Sequence, residues 1–176
     1  MLVLASASNA RRNLLINAHI PHKVIVSDVD ENKFEKKNAL SIVDILAFHK
    51  SSSVVKYIQS NQLKDNSFKR INAVLGCDSM FEFEGNFFGK PRNSQEAVDR
   101  LKKFSSGTGY IHTGHCLFSQ KSTLIKDLDF KFDGVLKEVI TTEIKFSVMS
   151  DEDIINYVNT REPLNCAGGF ALDGIG

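Results

Sequence analysis

Two patterns that mark common nucleotide folds are missing from this chain of 176 residues. It has neither a Gly-x-x-x-x-Gly-Lys-Ser/Thr loop nor a Gly-x-Gly-x-x-Gly turn after a strand, which excludes the P-loop and Rossmann folds. No apolar run approaches the roughly 18 residues of a membrane span, and no signal-peptide pattern follows Met1, so a cytoplasmic protein without a membrane anchor is expected. Charge of one sign is lacking too: 22 Lys+Arg against 21 Asp+Glu leave a formal net charge of +1. That field attracts neither nucleic acid nor an anionic membrane, and any phosphate binding must be local. Cysteine is scarce and odd in number. Cys77, Cys116 and Cys166 make neither a C-x-x-C pair nor a zinc spacing, which suits a reducing compartment. There is no internal repeat, low-complexity tract or Pro/Gly/Ser-rich linker. One domain spanning residues 1–176 is expected, large enough to bury roughly 70% of its extended-chain surface. Its 42% hydrophobic and 24% charged content is ordinary globular usage.

Residues 2–15, LVLASASNARRNLL, carry the first positive signal. An apolar strand runs into a Ser-rich turn and then a helix with Arg11 and Arg12 in its first turn. Ser6 and Ser8 supply hydroxyls at the strand's end. A helix N-terminus presents unpaired N–H groups and favours an anion, and arginine adds planar, bidentate donors for phosphate. An ordinary capped helix with solvated arginines is the competing explanation.

Residues 71–91, INAVLGCDSMFEFEGNFFGKP, carry the second. Ala73–Leu75 reads as a buried strand with an exit at Gly76, placing Asp78 and Ser79 just past its C-terminal end, where ligands bind in α/β proteins. A second strand, Met80–Phe83, turns at Glu84-Gly85-Asn86 into Phe87 and Phe88. That hairpin would return Lys90 toward Asp78, as an ion pair or as part of a site.

Elsewhere strands and helices alternate. Strand 2–5, helix 10–18 and strand 23–26 lead to the acidic loop Ser27–Glu31. A helix over about 39–60 follows, with Leu40, Val43, Leu46, Ala47, Val54 and Ile58 at helical spacing. Asn93 and Glu96 suggest a capping box for a helix carrying Ala97, Leu101 and Phe104. Strands 110–119 and 134–148 flank a polar hairpin or loop at 120–133, and Ser150 with Asp153 caps a last helix. This order favours a mixed α/β sheet over a doubly wound one. His112 and His115, three apart on a strand, point to opposite faces and are poorly placed to share a metal.

The ordered set LASAS with Arg11, Arg12 and Leu15, SDVDE (27–31), ILAFHK (45–50), GCDS (76–79), GKP (89–91), SSG (105–107), HTGH (112–115), MSDEDI (149–154) and EPLNCAGGFALDGIG (162–176) resembles the Maf (septum formation) family of nucleotide pyrophosphatases. It spans nearly the whole chain. The resemblance implies an elongated, Maf/ITPase-like mixed central sheet flanked by helices, with a nucleotide cleft between two lobes. It also implies hydrolysis of nucleoside triphosphates to monophosphate and pyrophosphate, with Asp78 as proton acceptor.

That chemistry needs an activated water and neutralised phosphates. Arg11, Arg12, Lys50 and Lys90 can supply positive charge, Lys50 by its family position, since snorkelling is otherwise the default for a lysine on an apolar helix face. Lys90 and Asp78 are the expected catalytic pair. Glu31 and Asp78 are candidate ligands for a divalent cation, Mg²⁺ or Mn²⁺, bound with substrate oxygens; a solvated acidic loop is the bland account of Glu31. Ser6, Ser8, Ser79 and Asp173 complete the substrate-binding set. Ala167, Gly168 and Gly169 suit either close packing of a base or a turn needing positive φ.

The chain departs from the family at several points. Asn9 and Ala10 stand where a proline and another basic residue are usual. Thymidine- or uridine-directed members usually show Asp-Thr where this chain has Asp78-Ser79, with a Gln near the position of Asp173. The 7-methylguanosine-directed branch shows Ser-Asp-Gln around the aspartate. Cys77-Asp78-Ser79 matches neither, which leaves the base open. Members generally continue beyond GIG with a strand and a terminal helix, and a missing strand would expose an edge. A homodimer is compatible with the resemblance. The rival from another class is a nucleotide-binding regulator of septum formation without turnover.

Overall fold

The computed structural model describes residues 1–34, 38–61, 66–120, 132–172 and 174–176. Strands β1 (Leu2–Leu4), β2 (His22–Val24), β3 (Ala73–Phe83), β4 (Asn86–Phe88), β5 (Thr108–Ser119) and β6 (Gly134–Lys145) form one sheet, ordered β2-β1-β3-β5-β6 with β4 on β3. β1 runs parallel to β2 and β3, whereas β3 and β4 are antiparallel. The helices are α1 (Asn9–Asn17), α2 (Ala39–Asn61), α3 (Ser94–Phe104) and α4 (Asp151–Asn159). This is the expected mixed α/β sheet flanked by helices. The expected loop at 120–133 falls largely outside the described residues, as does Asp173.

Contacts divide the chain into two compact units. One holds Met1–Lys36, Ser41–Asp78 and Gly114–Val139; the other holds Lys37–Leu40, Ser79–Thr113 and Ile140–Gly176.

In the first unit, Val3 of β1, Ala5 just after it and Val74 of β3 share a core cluster with Ala47, Val54 and Ile58 of α2 and with Cys116 and Phe118 of β5. The helical spacing expected for α2 holds from Val43 onward. Leu40, in the first turn, is instead exposed. α1 begins where Ser8, in extended backbone, accepts the Arg11 N–H, satisfying one of the orphan donors of a helix start.

The second unit is built around phenylalanine. The Phe81 ring lies 4.9 Å from Phe170, 5.0 Å from Phe104 and 5.8 Å from Phe146, mostly edge to face, the arrangement the ring quadrupole favours. Ala97, Leu101, Ile154 and Val158 seal the cluster from α3 and α4. Glu84 and Gly85 both take positive φ, a type I′ pair whose twist matches the flanking strands. α4 carries the full capping box of Ser150 and Asp153.

At α3 the expected box forms only halfway. Asn93 accepts the Glu96 N–H at 2.9 Å, but the Glu96 carboxylate does not reach back to Asn93. Arginines draw it away: it accepts from the Arg92 N–H and Nε, both at 2.9 Å, and from Arg100 Nη2 at 2.7 Å. The Arg92 backbone bond leads in lowering its pKa from 4.5 to about 2. A carboxylate whose pKa is depressed on folding stabilises the fold above its unfolded pKa, and loses that contribution as pH falls through the folded value. Thermal melts between pH 4.5 and 2 should therefore show an acid-side loss that is smaller in Glu96→Gln.

Candidate active site

β3 does not exit the sheet at Gly76. It runs unbroken from Ala73 to Phe83, so Asp78 and Ser79 lie within the strand and not past its end. Gly76 has another purpose. A Cβ there would collide with the Ala47 carbonyl oxygen and stand 2.7 Å from the Ser51 backbone nitrogen. The missing side chain lets α2 lie against the strand, and that approach carries Lys50 to Asp78.

Lys50 Nζ donates to Asp78 Oδ1 at 2.5 Å and to Glu31 Oε1 at 2.7 Å. Its side chain is 13% exposed and that of Asp78 10%, against 55% for Glu31. Lys50 therefore does not snorkel. Burial works to lower its pKa, but the charges and hydrogen bonds of Asp78 and Glu31 outweigh burial and hold the ammonium above its usual range. Burial pushes the Asp78 carboxyl up, against the attraction of Lys50, and the Glu31 charge adds to the rise. Asp78 is thereby a stronger base than a solvated aspartate.

On the neighbouring residue, Arg11 Nη1 donates to the Cys77 carbonyl at 2.9 Å and to Ser6 Oγ at 3.0 Å. Ser6 Oγ also accepts the Ser8 N–H at 3.3 Å. Arg11 is thus fixed against the strand that bears Asp78, and not a solvated side chain. Cys77 is buried, and burial pushes its thiol up, away from nucleophilic behaviour. Arg12 stands apart from this cluster. It is exposed and lines a hollow of about 640 Å³ with Ile16, Ile20, Pro21, His22, Lys23 and Val24. The first unit therefore brings together Ser6, Ser8, Arg11, Glu31, Lys50 and Asp78 and leaves Arg12 outside.

In the second unit Ser79 and Thr113 share a hydrogen bond of 2.9 Å between their hydroxyls. Lys90, expected to return toward Asp78, is exposed in the segment after β4. The lysine that the structure bonds to Asp78 is Lys50. The segment bearing Lys90 is itself anchored: the Gly89 carbonyl accepts from Arg100 Nη1 at 2.6 Å and from the Gly168 N–H at 3.1 Å. Gly168 and Gly169 both have positive φ, so a turn accounts for these two glycines. No residue pattern in the sequence marks Arg100, because its target is a backbone carbonyl. His112 is committed elsewhere, with Nδ1 2.8 Å from Thr141 Oγ1 and Nε2 3.0 Å from Glu82 Oε2.

The Maf-like protein family model matches residues 1–176. The chain belongs to the Maf family. A Prochlorococcus marinus protein named nucleoside triphosphate pyrophosphatase is 49% identical over 176 residues, covering all of this chain and 83% of that protein. A Synechococcus protein of the same name is 45% identical, covering all of this chain and 84% of its own length. Another Prochlorococcus marinus relative, again so named, is 42% identical with 86% of its length covered. The ordered motifs thus resembled the right family. Among the described residues no helix of this Maf protein is long and apolar enough to cross a membrane.

Proposed function

We propose that this Maf-family chain is a nucleoside triphosphate pyrophosphatase, cleaving the α–β phosphoanhydride to give a nucleoside monophosphate and pyrophosphate, and that modified or non-standard nucleotides are its substrates. The observation that carries the reading is the buried Asp78 carboxyl, raised in basicity and bonded to Lys50. A protein that only sensed nucleotides would need cations but no such base.

In this reading Asp78 accepts a proton from the attacking water. One bridging P–O bond breaks, and the oxygen of that water takes its place. Arg11, Lys50, Arg12 and Lys90 bind the phosphates and offset the charge that grows on their oxygens. Ser6 and Ser8 orient them, while Ser79 and Asp173 contribute to selection of the base. Glu31 and Asp78 would hold Mg²⁺ or Mn²⁺: two hard carboxylate oxygens already converge on a single positive charge, and such ions take one or two carboxylates with water and substrate oxygens. When bound, the ion would polarise the phosphoryl group.

The test is a panel of canonical and modified nucleoside triphosphates incubated with the purified protein and Mg²⁺ or Mn²⁺, with pyrophosphate and monophosphate quantified. Release of both in equal amounts, dependent on the metal, is the expected result, and their relative rates rank the bases. Nucleotide binding with neither product released would favour the regulatory reading.

A further inference from the structure

The point on which Glu31 and Asp78 converge is held by a side chain of the protein itself. Lys50 Nζ is within hydrogen-bond distance of both carboxylates, 2.7 Å from Glu31 Oε1 and 2.5 Å from Asp78 Oδ1. An ammonium is a compact point charge with three donors, so one lysine can satisfy an oxygen from each acid at once. A divalent cation would seek the same two oxygens, and it could not share them with an ammonium already there. With Lys50 in place the three side chains sum to one negative charge; without it they sum to two.

We propose that Lys50 is the built-in counter-ion of the Glu31–Asp78 pair and must leave those carboxylates before they can hold a divalent cation. The inference rests on the pyrophosphatase reading for the identity of the cation and for what draws Lys50 away. Phosphate oxygens are the matching attractor. The four-carbon stem can swing the ammonium from carboxylate to phosphate, and the same motion frees Glu31 and Asp78. Nucleotide and metal are then positively coupled. Either one alone binds against the Lys50 contacts, and together they exchange one set of ion pairs for two. The exposure gradient agrees with such a route. Glu31, 55% exposed, sits at the solvent side of the bridge, and Asp78, 10% exposed, at its buried end.

The experiment needs no turnover. Free Mn²⁺ is followed by electron paramagnetic resonance as it is titrated into nucleotide-free protein, wild type against Lys50→Met, a substitution of similar volume without charge. The variant should bind Mn²⁺ at least about tenfold more tightly, within the usual range of coupling between ligands. Adding Glu31→Gln to Lys50→Met should remove most of that gain. Equal or weaker Mn²⁺ binding by a folded Lys50→Met protein overturns the proposal. Wild-type protein supplies an arm that does not depend on the variant folding. Acylation of Lys50 by an amine reagent, read by mass spectrometry, should rise severalfold when Mn²⁺ saturates the protein; an unchanged rate also overturns it. Failure here in a protein that still releases pyrophosphate refutes only the exchange. A gain in Mn²⁺ binding by a protein that hydrolyses no nucleotide upholds the exchange and refutes the pyrophosphatase reading.

Discussion

Asp78→Asn is expected to lower kcat by about 10²–10⁴-fold, the usual worth of a positioned general base, with the fold retained. Asparagine matches the carboxyl in size and can still accept from Lys50, but it takes no proton from water. The pH profile makes the assignment specific. Burial raises the Asp78 carboxyl above the ordinary value of 3.8, so the acid limb of kcat/KM should lie above that value in the wild type and be absent from any residual activity of the variant. Wild-type turnover in a folded Asp78→Asn protein would remove Asp78 from the chemistry.

The second large effect concerns stability. Phe81→Ala should cost about 3–5 kcal/mol, the range for deleting a large aromatic from a core. Phe81 is fully buried, and its ring meets those of Phe83, Phe104, Phe146 and Phe170. These neighbours come from β3, α3 and two loops, so no single shift closes the void. Denaturant unfolding monitored by fluorescence and circular dichroism measures the loss. A cost below about 1 kcal/mol, far from typical core deletions, would mean that the surrounding rings collapse inward.

How far the sequence could be read depended on the range over which each interaction acts. Caps and turns are settled within four residues, and Asn93 and Ser150 both start the helices assigned to them. The Glu84-Gly85 turn closes its hairpin for the same reason. Asp78 was legible as a candidate through its motif, but its setting was not. Gly76 looks like an exit because glycine commonly ends strands; here it admits a helix that sequence spacing cannot position. Lys50 lies 28 residues before Asp78, and their meeting depends on the rotation of α2 against β3. Lys90, closer to Asp78 in sequence, is exposed after β4, and the side-chain bond to Asp78 comes from Lys50. Half of the α3 capping box failed because two arginines, each four residues from Glu96, compete for the carboxylate. Such competition is resolved only by geometry.

Gly76 is one of a pair. A Cβ at Gly114 on β5 would strike the Val43 carbonyl oxygen, one turn before the point where Gly76 meets Ala47. Two contacts a turn apart fix a rod in both height and roll, as two dowels do. The tolerance of the Lys50–Asp78 hydrogen bond is thus set at two positions that carry no side chain. A screen of random substitutions for lost activity would recover Gly76 and Gly114 beside the charged residues, and their purified variants would show a displaced α2 with every polar group of the site still encoded.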